Sequence, residues 1–392
     1  MKKRVLFFIE SLRCGGAEKS IVSLLPLLDY RRMDVDLMLL QRGGIFEKYI
    51  PKEVNIIDFH FQYHPLWFRF CQTLFSLRLR WLKLTGRSEH GAETRWRLMH
   101  SAYHRMEQHY DVAIAYQQGF PTYYVAEKVD AKNKIAWVNV DLTKAGYKPT
   151  YNNPFYQQFN KVVAVSDNLK QLITQEGYVG TDKVEVVRDI LNVDFIRTMS
   201  QQYIPFERTS KLKIVTVGRM VYQKGYDIAV ETAALLHERD IDFRWYFVGD
   251  GSMRHEIEQI IYAKRLGSMI VLTGEQENPY PYMAAADIYV QTSRFEGFGL
   301  TIAEAKILGK PVVSTRFPVV FNQIEDGKNG LIADMSPIDI ADKICAYIHH
   351  PILREEIRKN LSTEVDTTAI TESKKVNQLI LMKDSVCQTM DA

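Results

Sequence analysis

Two glutamates eight positions apart, Glu296 and Glu304, flank a Gly-Phe-Gly-Leu run, and with the cations Arg219 and Lys224 they form the set whose residue types can do chemistry. A glycine loop that opens a helix aims free backbone N–H groups at one spot, which makes a natural anion site. Here those groups belong to Phe298, Gly299 and Leu300. Eight helical steps of about 1.5 Å would separate the two carboxylates by roughly 12 Å, too far for the ~5 Å pair of a retaining glycosidase. The pair therefore reads as holding two ends of one long ligand, with its phosphates between them on the helix N-terminus. In the run Gly-Arg-Met-Val-Tyr-Gln-Lys-Gly, Arg219 and Lys224 can neutralise a diphosphate, the arginine as a planar fork and the lysine as a point charge. A solvated surface pair is the alternative for these two.

The elements that must position these residues alternate between strand and helix. Residues 287–291 read as a buried strand, and 300–308 as a helix closed by Gly309 and Pro311. Earlier, 5–9, 35–40, 54–59, 111–116, 134–139 and 161–165 read as strands, and 17–28 as an apolar-faced helix. A new series begins at 213–217, with strands at 244–248 and 270–273. Alternation of this kind predicts an α/β fold with parallel sheets covered on both faces. The break near 189–194 divides the chain into residues 1–190 and 191–392, and helices at 338–348, 352–361 and 370–382 close it. The tail past Asp384 has no pattern. The turn at 13–18 lies at the carboxyl end of the first strand, where open α/β sheets bind ligands. There Gly15 and Gly16 either allow close approach to a ligand or make a plain tight turn.

Composition bounds the rest. The 392 residues are 46% hydrophobic and 25% charged, a globular balance with material for two cores. A net charge of +3 gives no general argument for nucleic acid. Cys14, Cys71, Cys345 and Cys387 show neither a CxxC pair nor metal-ligand spacing, which fits a reducing cytosol and predicts no metal site. The N-terminal apolar run stops at Glu10 and reads as a first strand, not a signal peptide. No stretch reaches the roughly 18 apolar residues needed to span a bilayer.

Between 65 and 110 the alternation stops. Eight Lys and Arg face three Glu in this block, interleaved with Trp67, Phe68, Phe70, Trp81 and many leucines. A helix of this kind can lie in a membrane interface with its bases toward anionic headgroups. It can also be an ordinary helix packing its apolar side on the sheet with its arginines in water; nucleic-acid binding is a third reading, which no known binding motif among the basic residues accompanies.

Glu, seven residues, then Glu, around Gly-Phe-Gly-Leu and ahead of Gly-Lys-Pro-Val-Val, resembles the signature of retaining GT-B glycosyltransferases of family 4. The 218–225 run is similar to that family's Gly-Arg-Leu-x-x-x-Lys-Gly element, and residues 15–18 to its Gly-Gly-Ala-Glu turn. The resemblance covers the second half strongly and the first more weakly. It implies two Rossmann-like domains facing across a cleft, the first binding acceptor and the second donor, with the last helix, about 370–383, packing back on the first domain.

The implied activity is retaining transfer of a hexose-type sugar from a nucleotide-diphosphate sugar, UDP before GDP, to a hydroxyl acceptor. Arg219 and Lys224 would then hold the diphosphate, Glu296 the sugar hydroxyls and Glu304 the ribose, with no metal or other cofactor required. Relatives often carry histidine where this chain has Asn139, which cannot titrate, so that role does not carry over. Asp141 could contact sugar or acceptor, or cap the loop that follows. By analogy with similar enzymes of bacterial surface polysaccharide assembly, a lipid-linked saccharide acceptor and a peripheral place on the inner face of the cytoplasmic membrane are expected. The alternatives are a GT-B-like sugar-nucleotide epimerase, which the glutamate spacing argues against, and a catalytically idle sugar-nucleotide-binding protein.

Overall fold

The computed structural model describes residues 2–13, 15–59, 65–85, 89–206, 211–363 and 368–382. It falls into two compact units, Met1–Ile190 with Thr367–Ala392, and Leu191–Asp366.

In the first unit, strands β1 (Lys3–Ile9), β2 (Met33–Leu39), β3 (Val54–Asp58), β4 (His109–Ala115), β5 (Asp130–Val138), β6 (Lys161–Ala164) and β7 (Val184–Val186) form one sheet. Their order is β3-β2-β1-β4-β5-β6-β7, and every pair is parallel. A parallel sheet is covered on both faces, so its strands need no polar alternation. In β1, Val5, Leu6, Phe7, Phe8 and Ile9 are all fully buried. Helices α1 (Gly16–Leu24), α2 (Pro65–Thr85), α3 (Gly91–Met99), α4 (Phe120–Lys128), α5 (Pro149–Tyr156) and α6 (Asp167–Gln175) belong to this unit. The helix expected over 17–28 stops at Leu24 and tightens into a 3-10 turn at Leu25–Leu27. Pro26 is the reason, because it has no N–H to donate to the preceding turn.

The second unit holds α7 (Val193–Ser200), β8 (Leu212–Val217), α8 (Tyr226–Glu238), β9 (Phe243–Val248), α9 (Arg254–Ala263), β10 (Ile270–Gly274), α10 (Tyr280–Ala285) and β11 (Ile288–Gln291). It continues through α11 (Leu300–Ile307), β12 (Val312–Thr315), β13 (Leu331–Ala333), α12 (Pro337–His349) and α13 (Pro351–Thr363). Its sheet runs β10-β9-β8-β11-β12-β13, again all parallel. Ile214, Val230, Trp245, Phe247 and Ile344 lie in its core.

The last helix, α14 (Thr368–Leu381), belongs to the first unit. Val376 and Ile380 are buried, Glu372 accepts from the Arg188 backbone N–H, and Asn377 accepts from that of Asp29. The tail past Asp384, with Cys387, and Cys14 in the first turn lie outside the described residues.

Candidate active site

In the second unit the strand order reverses between β8 and β11, and the loops leaving their carboxyl ends diverge there, the place where open α/β sheets leave a crevice for ligand. Those two loops carry Arg219 with Lys224 and Glu296. They are joined tightly. Gly225 has φ +64°, and a Cβ on it would stand 2.1 Å from the Thr292 carbonyl oxygen, so no other residue fits. Thr292 Oγ1 donates to the Lys224 carbonyl at 3.0 Å. Arg294 completes the joint. Its backbone N–H donates to the Gln223 carbonyl at 2.7 Å, its guanidinium forks onto both oxygens of Asp227 at 2.9 and 2.6 Å, and it lies 4.1 Å over the Tyr222 ring. Burial alone would push the Asp227 carboxyl up, but the Arg294 fork outweighs it and holds the group below its ordinary range.

The joint brings two of the expected residues into contact. Lys224 Nζ lies 2.6 Å from Glu296 Oε1, and both side chains are largely covered. The same oxygen accepts from Gln291 Nε2 at 2.8 Å and Ser293 Oγ at 2.6 Å, while Oε2 takes a longer bond of 3.3 Å from Gln223. Gln291 cannot flip its amide, because its Oε1 accepts from Tyr289 at 2.6 Å and Thr301 at 3.1 Å. Three donors on one oxygen leave Oε2 as the less committed edge of the carboxylate. Neither Gln291 nor Ser293 follows from the spacing of the charged residues. The available signal was a glutamine ending an apolar strand, since a buried amide demands partners.

Gly299, at φ +88°, is the left-handed residue before α11, and its carbonyl accepts from the Ile302 N–H at 2.9 Å to close the first turn of that helix. Glu304 lies one turn in, fully buried, with Oε1 accepting from the Tyr280 hydroxyl at 2.9 Å. Arg219 is exposed on the β8–α8 loop.

In the first unit, Gly15 precedes α1 and Gly16 begins it. Asn139 follows β5 directly. Its amide nitrogen donates to the Tyr116 carbonyl at 3.1 Å, and its Oδ1 is buried without a hydrogen-bond partner among the described residues. Asp141 is buried and caps its own loop, accepting from the Lys144 N–H at 3.0 Å with the Lys144 ammonium 3.4 Å away. Of the two roles the sequence left open for Asp141, loop capping is the one the geometry displays. Glu10, at the end of β1, is half-buried, and burial pushes its carboxyl above the usual range against the pull of Arg95. No cluster of three His, Cys, Asp or Glu among the described residues is placed to hold a metal ion.

Two parallel α/β sheets of Rossmann type in one chain define the class, and the GT-B fold expected from the sequence is borne out by solved structures. The crystal structure of HepE from Anabaena in complex with UDP superposes with a TM-score of 0.67 over 97% of this chain and 99% of that one, at 18% identity. Residues 201–363 match the family described as Glycosyl transferases group 1. Poly(ribitol-phosphate) alpha-N-acetylglucosaminyltransferase of Staphylococcus aureus is 32% identical over 164 residues, 40% of this chain and 33% of that protein. Lipopolysaccharide core biosynthesis glycosyltransferase LpsE of Rhizobium meliloti is 31% identical over 122 residues, 31% of this chain and 35% of that protein. The chain thus spans about a third of the length of these curated relatives.

Proposed function

We propose that the protein is a retaining glycosyltransferase of family 4 that moves a hexose-type sugar from a nucleotide-diphosphate sugar to a hydroxyl of a lipid-linked saccharide in bacterial surface polysaccharide assembly. The observation that carries this reading is the contact of Lys224 with Glu296 at the strand-order reversal, beside the opening turn of α11. Negative charge grows on the diphosphate as an oxocarbenium-like sugar forms, and cations with backbone N–H groups already in place stabilise that charge without reorganising. Arg219, Lys224 and the N–H groups of Phe298, Gly299 and Leu300 supply this stabilisation. Glu296 holds the sugar hydroxyls through Oε2, and Lys224 exchanges part of its contact with Glu296 for the diphosphate. Glu304, steadied by Tyr280, is the ribose carboxylate. Fixed cations take the place of a metal ion.

UDP is the nucleotide we favour, in line with HepE structures holding UDP or UDP-glucose, with GDP the alternative. The likeness to a lipopolysaccharide core biosynthesis glycosyltransferase supports a glycan acceptor, and its lipid linkage is part of the proposal. Gly15 and Gly16 are assigned to close approach of the nucleotide-sugar donor, and Asn139 and Asp141 to contact with sugar or acceptor, Asp141 through the loop it shapes. The protein works peripherally on the inner face of the cytoplasmic membrane. No helix among the described residues is long and apolar enough to cross a bilayer.

The test is UDP release from UDP-glucose and UDP-N-acetylglucosamine by the parent and by Arg219→Ala and Lys224→Ala. Both variants should lower kcat more than they raise KM, since their targets are charges that develop in the transition state. Parent-like turnover in both would remove these residues from the site.

A further inference from the structure

Helix α2 shows three faces, of which one is covered and two are exposed among the described residues. Phe68, Cys71, Phe75, Arg78 and Leu82, at alternating spacings of three and four, are its covered positions. The second face carries Leu66, Phe70, Leu74, Leu77, Trp81 and Leu84, whose exposures run from 38 to 87%. The third carries Arg69, Arg80 and Lys83, all exposed, among Gln72, Thr73 and Ser76. At 3.6 residues per turn the three faces point roughly 100 to 130° apart, and the apolar stripe extends along a helix of about 30 Å. An ordinary surface helix has two faces, apolar inward and polar outward. A second, outward apolar stripe of this length is what interaction surfaces expose.

The charges say what covers it. The helix sequence has four cations and no acidic residue. Arg78 is already committed, paired with Glu89 at 2.5 Å and lying 4.4 Å over the Trp81 ring, which removes it from the basic residues available to a partner. The three remaining cations adjoin the stripe on one side. A second copy of this helix seated on the stripe would bring like charges together along the seam, whereas an anionic lipid surface meets them with opposite charge.

We propose that α2 lies parallel to the plane of an anionic bilayer, with the stripe from Leu66 to Leu84 entering the acyl boundary and Arg69, Arg80 and Lys83 at the phosphates. This rests on the peripheral membrane placement proposed above and names the element responsible for it. The donor chemistry in the other unit is independent of it.

The protein carries its own probe. Of five tryptophans, Trp96, Trp137 and Trp245 are buried in the core, while Trp67 and Trp81 on α2 are exposed. Full-length protein is mixed with vesicles of phosphatidylglycerol and phosphatidylcholine, or of phosphatidylcholine alone, with and without bromine on the acyl chains. The expected result is sedimentation with the anionic vesicles and tryptophan quenching by the brominated ones, both weakened by salt, because the Debye length shrinks below the roughly 8 to 10 Å of physiological buffers. Replacing Arg69, Arg80 and Lys83 by glutamine should lower partitioning by about 100-fold, near fivefold per cation. Phe70→Ser with Leu77→Ser should abolish quenching, and because both side chains are exposed the core is left intact.

UDP binding is measured on the same preparations. Vesicle binding without UDP binding would leave α2 as assigned and sink the transferase reading, while the reverse would sink the assignment of α2 alone. Absence of quenching with anionic vesicles at low salt overturns the proposal. So does concentration-dependent dimerisation that Phe70→Ser with Leu77→Ser breaks, which would make a second copy the occupant.

Discussion

Glu296 is where residue-scale chemistry is most constrained, because its Oε1 is claimed by Lys224, Gln291 and Ser293 before any ligand arrives. A carboxylate locked on one edge presents the other in a defined direction, and pre-set direction is worth more to catalysis than affinity. Gln291 is the hinge of that arrangement, since two hydroxyls on its oxygen decide which way its nitrogen faces. Gln291→Met keeps the volume but strands the Tyr289 hydroxyl in a fully buried site. The expected outcome is a stability loss of about 1 to 3 kcal/mol, the cost of an unsatisfied buried polar group. A fall in kcat should accompany it, with UDP affinity unchanged, because Glu296 is assigned to the sugar and not to the nucleotide. Equal losses in kcat and UDP affinity would show that the substitution merely loosens the unit.

At the scale of elements, the site depends on two loops more than 60 positions apart being held as one body. The fork from Arg294 to Asp227 crosses from the β11–α11 loop to the first turn of α8, and it is partly shielded from water. Because Asp227 is held below its ordinary value, its contribution is present above the unfolded carboxylate range near 4 and is lost as pH falls through the depressed value. Arg294→Ala should therefore lower the melting temperature at neutral pH, by an amount equivalent to about 1 to 3 kcal/mol, and by less in acid. It should also reduce turnover although Arg294 touches no ligand in the proposed scheme. A pH-independent loss of stability would mean that the ring contact with Tyr222, not the ion pair, is what matters.

For the molecule as a whole, one group sets a pH dependence from a position beside the division of the chain. Asp189 is buried, its Oδ1 has no hydrogen-bond partner among the described residues, and it lies one residue before Ile190, where the first unit passes to the second. Burial pushes its carboxyl up to about 7, opposed by a hydrogen bond with Ser20. The folded state then keeps a proton that the unfolded chain has released, so stability falls as pH rises from about 4 to about 7 and the full cost remains above that. Asp189→Asn should raise the melting temperature at pH 8, by the equivalent of a few kcal/mol on the order given by this shift, and have little effect near pH 4. Calorimetry across that range decides the matter. A stabilisation equal at both ends would show that ionisation is not the cause.

What the amino-acid order determined by itself was the class of fold and the loops to which the proposed site is assigned. Buried parallel strands are written as apolar runs such as Val5 to Ile9, and the turns between them as glycines, because backbone conformation and burial are local demands. The cation pair and the glutamate pair were legible for the same reason, each sitting within one loop-to-helix segment. Contacts between segments were not. Nothing near Lys224 in the chain announces Glu296, 72 positions on, and nothing near Arg294 announces Asp227. Asp141 was ambiguous until its loop closed on Lys144, and Arg78 looked like one free base among eight until Glu89 took it. The second apolar stripe of α2 is the clearest case. Its spacing was in the sequence, but which of two apolar faces the protein would cover is a matter of packing, and only the tertiary structure decides packing.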